Sequence, residues 1–153
     1  MTQPAPIGRS PLGQQVYDGL ASLPSAKRFT AEQLEVIYAV AYAHVAQGQY
    51  AQALPIFAFL SQYGPTRRHY LYGLALCLQM AGRYDEALNI NALCATLFPE
   101  SALPTLRTAE CQMAAGQVEE ARATLGMLTR YARAGGEAEI GNRAQALLDL
   151  MAH

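Results

Sequence analysis

From residue 30 onward, apolar residues recur at spacings of three and four positions, which is the periodicity of an amphipathic α-helix. Glycine and proline interrupt this pattern at regular intervals, and each interruption is expected to end a helix. The segment Thr30-Ala31-Glu32-Gln33 has the form of a capping box, which satisfies free amides at the start of a helix. The pattern predicts three pairs of helices, over residues 34–47 with 51–62, 68–81 with 85–97, and 102–115 with 118–131.

Three glycines mark an internal repeat, because Gly48, Gly82 and Gly116 are each separated by 34 residues. A helical hairpin of about 34 residues is typical of the tetratricopeptide repeat (TPR). Each glycine is expected to end the first helix of its pair in a left-handed conformation, and a small residue five positions later allows the two helices to approach closely. The other residues in register are Tyr50, Tyr84 and Val118, Ala53, Ala87 and Ala121, and Pro65 and Pro99.

The repeats predict an all-α fold, in which three tandem TPR hairpins stack into a superhelical solenoid. The hairpins extend over residues 34–67, 68–101 and 102–135, within a repeat region of 30–136. Residues 137–153 carry one apolar helical face and are predicted to form a C-terminal capping helix. Residues 1–29 are predicted to be a flexible N-terminus with a short amphipathic helix, whose candidates for a dimer contact are Leu12, Val16 and Leu20.

Charge and composition argue against several classes of function. Eleven Lys and Arg residues against twelve Asp and Glu residues give a net charge of -1, so no broad basic surface is available for nucleic acid. The first eleven residues lack the apolar run of a signal peptide, and no stretch of about 18 apolar residues occurs that would insert into a membrane. A cytoplasmic protein is therefore expected.

The cysteines and histidines do not form a recognisable reactive site. Cys77, Cys94 and Cys111 fall within helical patterns and lack the CxxC spacing of redox and metal sites, so we expect them to be buried as small apolar residues. The three histidines are scattered and give no metal-ligand pair. No catalytic, cofactor-binding or metal-binding residue is predicted, and the chain is not expected to be an enzyme.

The TPR resemblance also assigns a binding surface, because the first helix of each pair lines the concave side of a TPR array. Most of the inward positions in this sequence are apolar or aromatic, whereas TPR adaptors that bind a C-terminal carboxylate use Lys, Arg and Asn. An apolar concave surface favours an extended or helical hydrophobic segment of another protein. The predicted peptide-binding groove consists of Tyr38, Tyr42, Val45, His69, Tyr72, Leu76, Met80, Leu106 and Met113.

Three stretches resemble a narrower family, the class II chaperones of bacterial type III secretion: LEVIYAVAYAHVAQGQYAQALPIFAFL, YLYGLALCLQMAGRYDEAL and RTAECQMAAGQVEEA. The most specific marks are the paired Tyr38 and Tyr42, the YGLAL run around Gly73, and the AEC triplet that ends at Cys111. The resemblance implies a small cytosolic chaperone, often a homodimer, that binds hydrophobic translocator proteins and prevents their aggregation and premature association before export. It also implies a groove that accepts an extended N-terminal segment of the translocator, anchored by Pro and Leu side chains.

Two other functions remain compatible with the repeat. One is a chaperone for a needle subunit or another secretion substrate, in which the groove holds an amphipathic helix. The other is a general TPR scaffold for the assembly of some other complex. None of the three functions involves nucleic acid or direct insertion into a membrane.

Overall fold

The computed structural model describes residues 8–153, so the first seven residues of the predicted flexible N-terminus lie outside it. The described part contains eight α-helices, a short 3₁₀ turn at Pro24–Lys27 and no β-strand, which confirms the predicted all-α fold. The helices are α1 (Pro11–Ala21), α2 (Ala31–Ala46), α3 (Tyr50–Tyr63), α4 (Arg68–Met80), α5 (Tyr84–Leu97), α6 (Leu103–Ala114), α7 (Val118–Arg133) and α8 (Ala138–Met151).

The six predicted repeat helices are present as α2 to α7, with ends that differ from the predicted ends by no more than three residues. The predicted capping box at the start of α2 is confirmed. The Gln33 amide donates to the Thr30 hydroxyl at 3.1 Å, and the Thr30 amide donates to the Gln33 side-chain oxygen at 2.9 Å. The division of the chain into domains stays a prediction.

The glycines that end the first helices adopt the expected left-handed conformation. Gly48, Gly82 and Gly116 have φ angles of 71°, 76° and 79°. Just beyond each turn, a repeat alanine is fully buried where the two helices of a hairpin meet: Ala53, Ala87 and Ala121 are each 0% exposed. A larger side chain at these positions would separate the helices, so glycine and alanine together set the shape of the hairpin.

Each repeat helix packs against the next one along the chain, so the hairpins α2–α3, α4–α5 and α6–α7 stack in order. The first helices also touch across the stack, since α4 contacts both α2 and α6. This arrangement places α2, α4 and α6 side by side. The three helices therefore share one face, which carries the candidate site.

The cysteines are all buried and free, as the sequence predicted. Burial raises the pKa of the Cys77 thiol to about 11 and that of the Cys94 thiol to about 12. A thiol with such a pKa is almost entirely protonated at neutral pH, and the protonated form is a poor nucleophile. These cysteines contribute to packing between helices.

Helix α1 packs against its own chain through two of the three predicted dimer candidates, which are partly buried, and the dimer contact stays a prediction. Val16 and Leu20 pack against a buried cluster formed by Leu71, Cys94, Leu97 and Phe98 of the second repeat. The Arg9 guanidinium donates a hydrogen bond to the Leu97 carbonyl at 2.6 Å and lies 3.8 Å from the centre of the Tyr17 ring. Only Leu12 among the three dimer candidates remains exposed, at 65%.

Helix α8 packs against the last hairpin at the other end of the stack. Its Ile140, Ala144 and Leu147 join one buried cluster with Leu106 of α6 and Leu125 of α7. The apolar surface that the third repeat would otherwise expose is thereby covered. Within residues 8–153, no helix combines the length and the apolar character that crossing a bilayer requires.

Candidate functional site

The first helices of the three repeats form the walls of one cavity of about 240 Å³, which we call the groove. Its lining is predominantly apolar and aromatic. The floor between the walls comes from one residue of α3 and one of α5. The lining residues are Tyr38, Tyr42, Val45, Phe57, His69, Tyr72, Gly73, Leu76, Asn91, Leu103, Pro104 and Arg107.

The structure brings six of the nine predicted groove residues together around this cavity. They come from two helices: Tyr38, Tyr42 and Val45 from α2, and His69, Tyr72 and Leu76 from α4. Within α2 these positions are separated by four and three residues, so they lie on one face of the helix. That face is turned toward α4 and the cavity.

The other three predicted residues lie elsewhere, and the groove assignment of Leu106 was wrong. Leu106 is only 5% exposed and belongs to the buried cluster with Leu125, Ile140 and Leu147. Met113 packs against the same cluster, and Met80 is 52% exposed but does not line the cavity. Helix α8 covers Leu106 and Met113, so at these two positions the repeat register carried over from α2 does not lead to an open surface.

Several lining residues were missed by the sequence argument. In the third repeat the wall is formed by residues near the start of α6. Leu103 is an inward position of the repeat register, whereas Pro104 and Arg107 are not and were missed. The floor residues Phe57 and Asn91 were missed because they belong to the second helices of their pairs. A signal was available, since these two positions are one 34-residue period apart.

Aromatic rings form the first wall of the groove. The Tyr38 ring contacts the His69 ring edge-on at 4.6 Å between centroids, and it lies 6.1 Å from the rings of both Tyr42 and Phe57. Burial raises the pKa of Tyr38, so its hydroxyl stays protonated at neutral pH. Tyr42, by contrast, is 60% exposed. The wall thus combines the packed ring of Tyr38 with the exposed ring of Tyr42, which is free to contact a binding partner.

A polar link joins α2 and α4 at the edge of the groove. One carboxylate oxygen of Glu35 accepts hydrogen bonds from His69 Nε2 at 2.5 Å and from the Tyr70 hydroxyl at 2.8 Å. Burial by itself would raise the pKa of Glu35, but the bonds from His69 and Tyr70 outweigh this effect and lower it. The link holds the His69 ring in position beside Tyr38.

Two polar groups of the lining are buried without a well-formed hydrogen bond among the described residues. They are the side-chain amide nitrogen Nδ2 of Asn91 and the hydroxyl of Tyr72, which has the Ser101 side chain beside it. Burial is the main cause that raises the pKa of Tyr72, and the neighbouring Ser101 side chain reduces the effect. The charged lining residue Arg107 is already paired, since its Nη1 lies 3.1 Å from an oxygen of Glu110.

The described residues do not suggest a metal centre. No group of three or more His, Cys, Asp or Glu residues in the range 8–153 is arranged to hold a metal ion. What the groove does present is an apolar and aromatic surface with few polar groups. Such a surface is suited to holding a segment of polypeptide.

Comparison with known proteins agrees with the fold. Family models of the tetratricopeptide repeat match residues 44–93 and 106–133, together just over half of the 153 residues. Among curated proteins, the chain is similar to the chaperone protein SicA of Salmonella typhimurium. The identity is 24% over 119 residues, which cover 76% of this chain and 72% of SicA.

Solved structures with the same fold come from type III secretion. One is a type III secretion complex from Aeromonas hydrophila, with a TM-score of 0.74 and 22% identity, over 93% of this chain and 95% of that one. Another is the type III secretion chaperone SycD of Yersinia enterocolitica in complex with a peptide of the translocator YopD. There the TM-score is 0.71 and the identity 23%, over 82% of this chain and 96% of SycD.

Proposed function

Since the chain belongs to the tetratricopeptide-repeat family and has the fold of the class II chaperones of type III secretion, we propose that it is a chaperone that binds hydrophobic translocator proteins in the groove. The single observation that carries the proposal is the apolar, tyrosine-bearing cavity between α2, α4 and α6. SycD, which has the same fold, was solved in complex with a peptide of a translocator.

The physical basis is the burial of apolar area. Each Å² removed from water contributes about 25 cal/mol, so one buried Leu side chain contributes about 1.5–3 kcal/mol. Two or three such anchors offset the cost of ordering an extended segment. The exposed Tyr42 adds a large contact area, because a tyrosine loses little rotamer freedom on binding.

The chaperone acts by stoichiometric masking. While the groove covers an apolar segment, that segment is not available for aggregation or for premature association with other translocators. No nucleotide, cofactor or catalytic step takes part. The chaperone acts in the bacterial cytoplasm, before the translocator is exported. Homodimer formation remains part of the proposal, with Leu12 as the most exposed of the three candidates on α1, beside the partly buried Val16 and Leu20.

Co-purification tests this function most simply. A translocator from the same bacterium is co-expressed with the tagged chain, either unchanged or carrying Tyr42→Ala together with Leu76→Asp. The double variant is expected to lose most of the bound translocator, because one change removes exposed aromatic area and the other places a charge inside the groove.

A matched control is available on α8. Leu150 is 68% exposed and lies outside the groove, so Leu150→Asp introduces the same charge elsewhere and is expected to leave co-purification unchanged. Circular dichroism confirms that each variant is folded. Equal recovery of the translocator with the unchanged chain and the folded double variant would refute the groove assignment.

A further inference from the structure

The place where α1 packs on the second repeat has a counterpart on the third repeat. Helix α1 contacts α5 and covers a cluster that includes Leu71, Cys94 and Leu97, with Leu93 packed against it. One 34-residue period later, the same four positions of the third repeat are Thr105, Leu128, Tyr131 and Met127. All four counterparts line one cavity of about 270 Å³ between α5 and α7, which we call the outer cleft. The repeat thus generates a second seat of the kind that α1 occupies.

The outer cleft differs from the seat of α1 in being left open by the described residues. Under α1, Leu71 and Leu97 are 3% and 0% exposed. Their counterparts in the outer cleft, Thr105 and Tyr131, are partly exposed, and Met127 is 53% exposed. An exposed methionine beside an apolar cleft is typical of a surface that contacts another protein.

Helix α1 shows which features allow a helix to lie in such a seat. Its apolar side chains Val16 and Leu20 are four residues apart, so they form one face that packs against the cluster. Gly13 lies where α1 approaches α5 most closely, since a Cβ atom there would be 2.8 Å from the Thr96 carbonyl oxygen. The same backbone surface recurs in α7, because the hairpins repeat. An amphipathic helix with a small residue at the crossing point is therefore the occupant that fits the outer cleft.

The two seats differ in the hydrogen-bonding groups that they offer to a helix. At the end of α5, the Leu97 carbonyl accepts a hydrogen bond from the Arg9 guanidinium at 2.6 Å. The counterpart carbonyl, that of Tyr131, already accepts a hydrogen bond from the Gly136 amide at 3.0 Å. A cation that precedes the docked helix is therefore not needed at the outer cleft.

The outer cleft instead has a cation of its own. The counterpart of Thr96 is Arg130, which is exposed and forms no ion pair with any residue in the range 8–153. The carboxylate of Glu137 lies at the rim, but it accepts a hydrogen bond from the Ala102 amide at 2.9 Å. Charge complementarity therefore favours an acidic residue at the end of the docking helix that lies near Arg130.

We propose that the outer cleft is a docking site for a second protein, which inserts an amphipathic helix with an acidic residue at its N-terminal end, in the way that α1 lies on α5. The outer cleft shares no lining residue with the groove. The chain can therefore hold a guest in the groove and a partner protein in the outer cleft at the same time.

The test uses the full chain and a synthetic peptide with the sequence of residues 9–23, either unchanged or carrying Arg9→Glu. Binding is followed by chemical-shift changes in the isotope-labelled chain, which locate the contact and detect weak association. We expect the changes to centre on Thr105 and Met127 and to leave Tyr42 unaffected. The Arg9→Glu peptide is expected to bind about 3-fold more tightly than the unchanged peptide, because it places a carboxylate near Arg130.

Three variants of the chain sharpen the test. Met127→Asp removes apolar contact at an exposed position, where the fold tolerates the change, and should abolish binding of both peptides. Arg130→Glu should reverse the preference, so that the unchanged peptide binds more tightly than its Arg9→Glu form. Arg143→Glu is the matched control, since Arg143 is exposed on α8 outside the cleft and its replacement should leave both affinities unchanged. Circular dichroism confirms that each variant is folded.

The outcomes separate docking in the outer cleft from other contacts. Shift changes at Thr105 and Met127 whose peptide preference reverses in Arg130→Glu support the proposal. Changes centred on Leu71 and Cys94 would mean that the peptide displaces α1, and this result would overturn it. Equal binding of a peptide that carries Val16→Asp and Leu20→Asp would do the same, because the contact would then not depend on an apolar helical face.

Two other occupants of the outer cleft are distinguished with the same samples. If sedimentation equilibrium shows a dimer that Met127→Asp converts to a monomer, a second copy of the chain fills the cleft and the proposal is refuted. It is also refuted if the peptide binds only after residues 1–7 are deleted, since the cleft then belongs to the chain's own N-terminus.

Discussion

The ring of Phe57 lies against the main chain of Gly73, so closely that a Cβ atom at Gly73 would overlap the ring. Both residues line the groove, one from α3 and one from α4. The glycine in the middle of α4 is therefore explained by packing between neighbouring repeats. It allows an aromatic floor residue to approach the backbone of the next hairpin.

Gly73→Ala is expected to destabilise the protein by about 1–3 kcal/mol, because the buried Phe57 ring must leave its packed position to make room for the added methyl group. Chemical denaturation measures the change. Gly126→Ala is the matched control, since it also lies inside a helix and its Cβ would meet only the end of the Arg130 side chain at 3.6 Å. The control should be stabilised by up to about 1 kcal/mol through helix propensity. Similar stability of the two variants would contradict the packing account.

Acid should selectively weaken the link between Glu35 and its partners. The folded state lowers the pKa of Glu35 below its ordinary value of 4.5, through bonds from His69 and Tyr70 that outweigh burial. The contribution of this link to the free energy of unfolding is therefore fully present above about pH 4.5. It is lost as the pH falls through the pKa of Glu35 in the folded protein. Because the Glu35 side chain is 46% exposed, the contribution is expected to be below about 1 kcal/mol.

The measurement compares the free energy of unfolding of Glu35→Gln with that of the unchanged chain. Both are measured between about pH 3 and pH 7, at intervals of about one pH unit. The difference in the free energy of unfolding between the two proteins should be present at about pH 7 and shrink below about pH 4.5. Glu119→Gln serves as the control, since Glu119 is 81% exposed in its pair with Arg122, and it should show little difference at any pH. A difference for Glu35→Gln that persists unchanged in acid would refute this account.

Docking of α1 depends on a close contact at Gly13. A Cβ atom there would lie 2.8 Å from the carbonyl oxygen of Thr96, which is too close for any larger residue. Gly13→Leu should therefore detach α1 from α5 and increase the accessibility of Cys94, which lies in the cluster that α1 covers. Labelling of Cys94 by a thiol reagent, followed by mass spectrometry, is expected to become several-fold faster, while labelling of Cys77 is unchanged.

Gly19→Leu provides the comparison for this experiment. Gly19 lies in the same helix, and nothing comes within 4 Å of its Cβ position, so α1 should remain docked. Both variants replace glycine by leucine in the same helix, so both change its helix propensity in the same way. Equal labelling of Cys94 in both would show that α1 does not protect this side of the second repeat.

How much could be predicted from the sequence depends on the range of the interaction. Gly48, Gly82 and Gly116 act locally, through the backbone conformation of a single turn, and their spacing was sufficient to predict the hairpins. The wall residues of α2 and α4 followed from the same register. Leu106 did not, because its burial depends on a helix more than 30 residues later that folds back over the third repeat.

The N-terminal helix and the groove floor show the same limit. The apolar residues of α1 gave no sign of whether they meet a second copy of the chain or the α5 helix of their own chain. Asn91 was overlooked because only first helices were expected to reach the groove. Comparing it with Phe57 and Leu125 in the repeat register would have singled out the one polar residue among the three.

The central claim is that a guest polypeptide occupies the cavity between α2, α4 and α6. It is tested most directly by site-specific photocrosslinking, with Tyr42 or, as a control, Leu150 replaced by p-benzoylphenylalanine in the chaperone–translocator complex. Both positions are well exposed, at 60% and 68%, but only Tyr42 lines the groove. We predict that irradiation crosslinks the translocator from position 42 and not from position 150. A translocator that co-purifies with both variants but crosslinks only from position 150 would contradict the account.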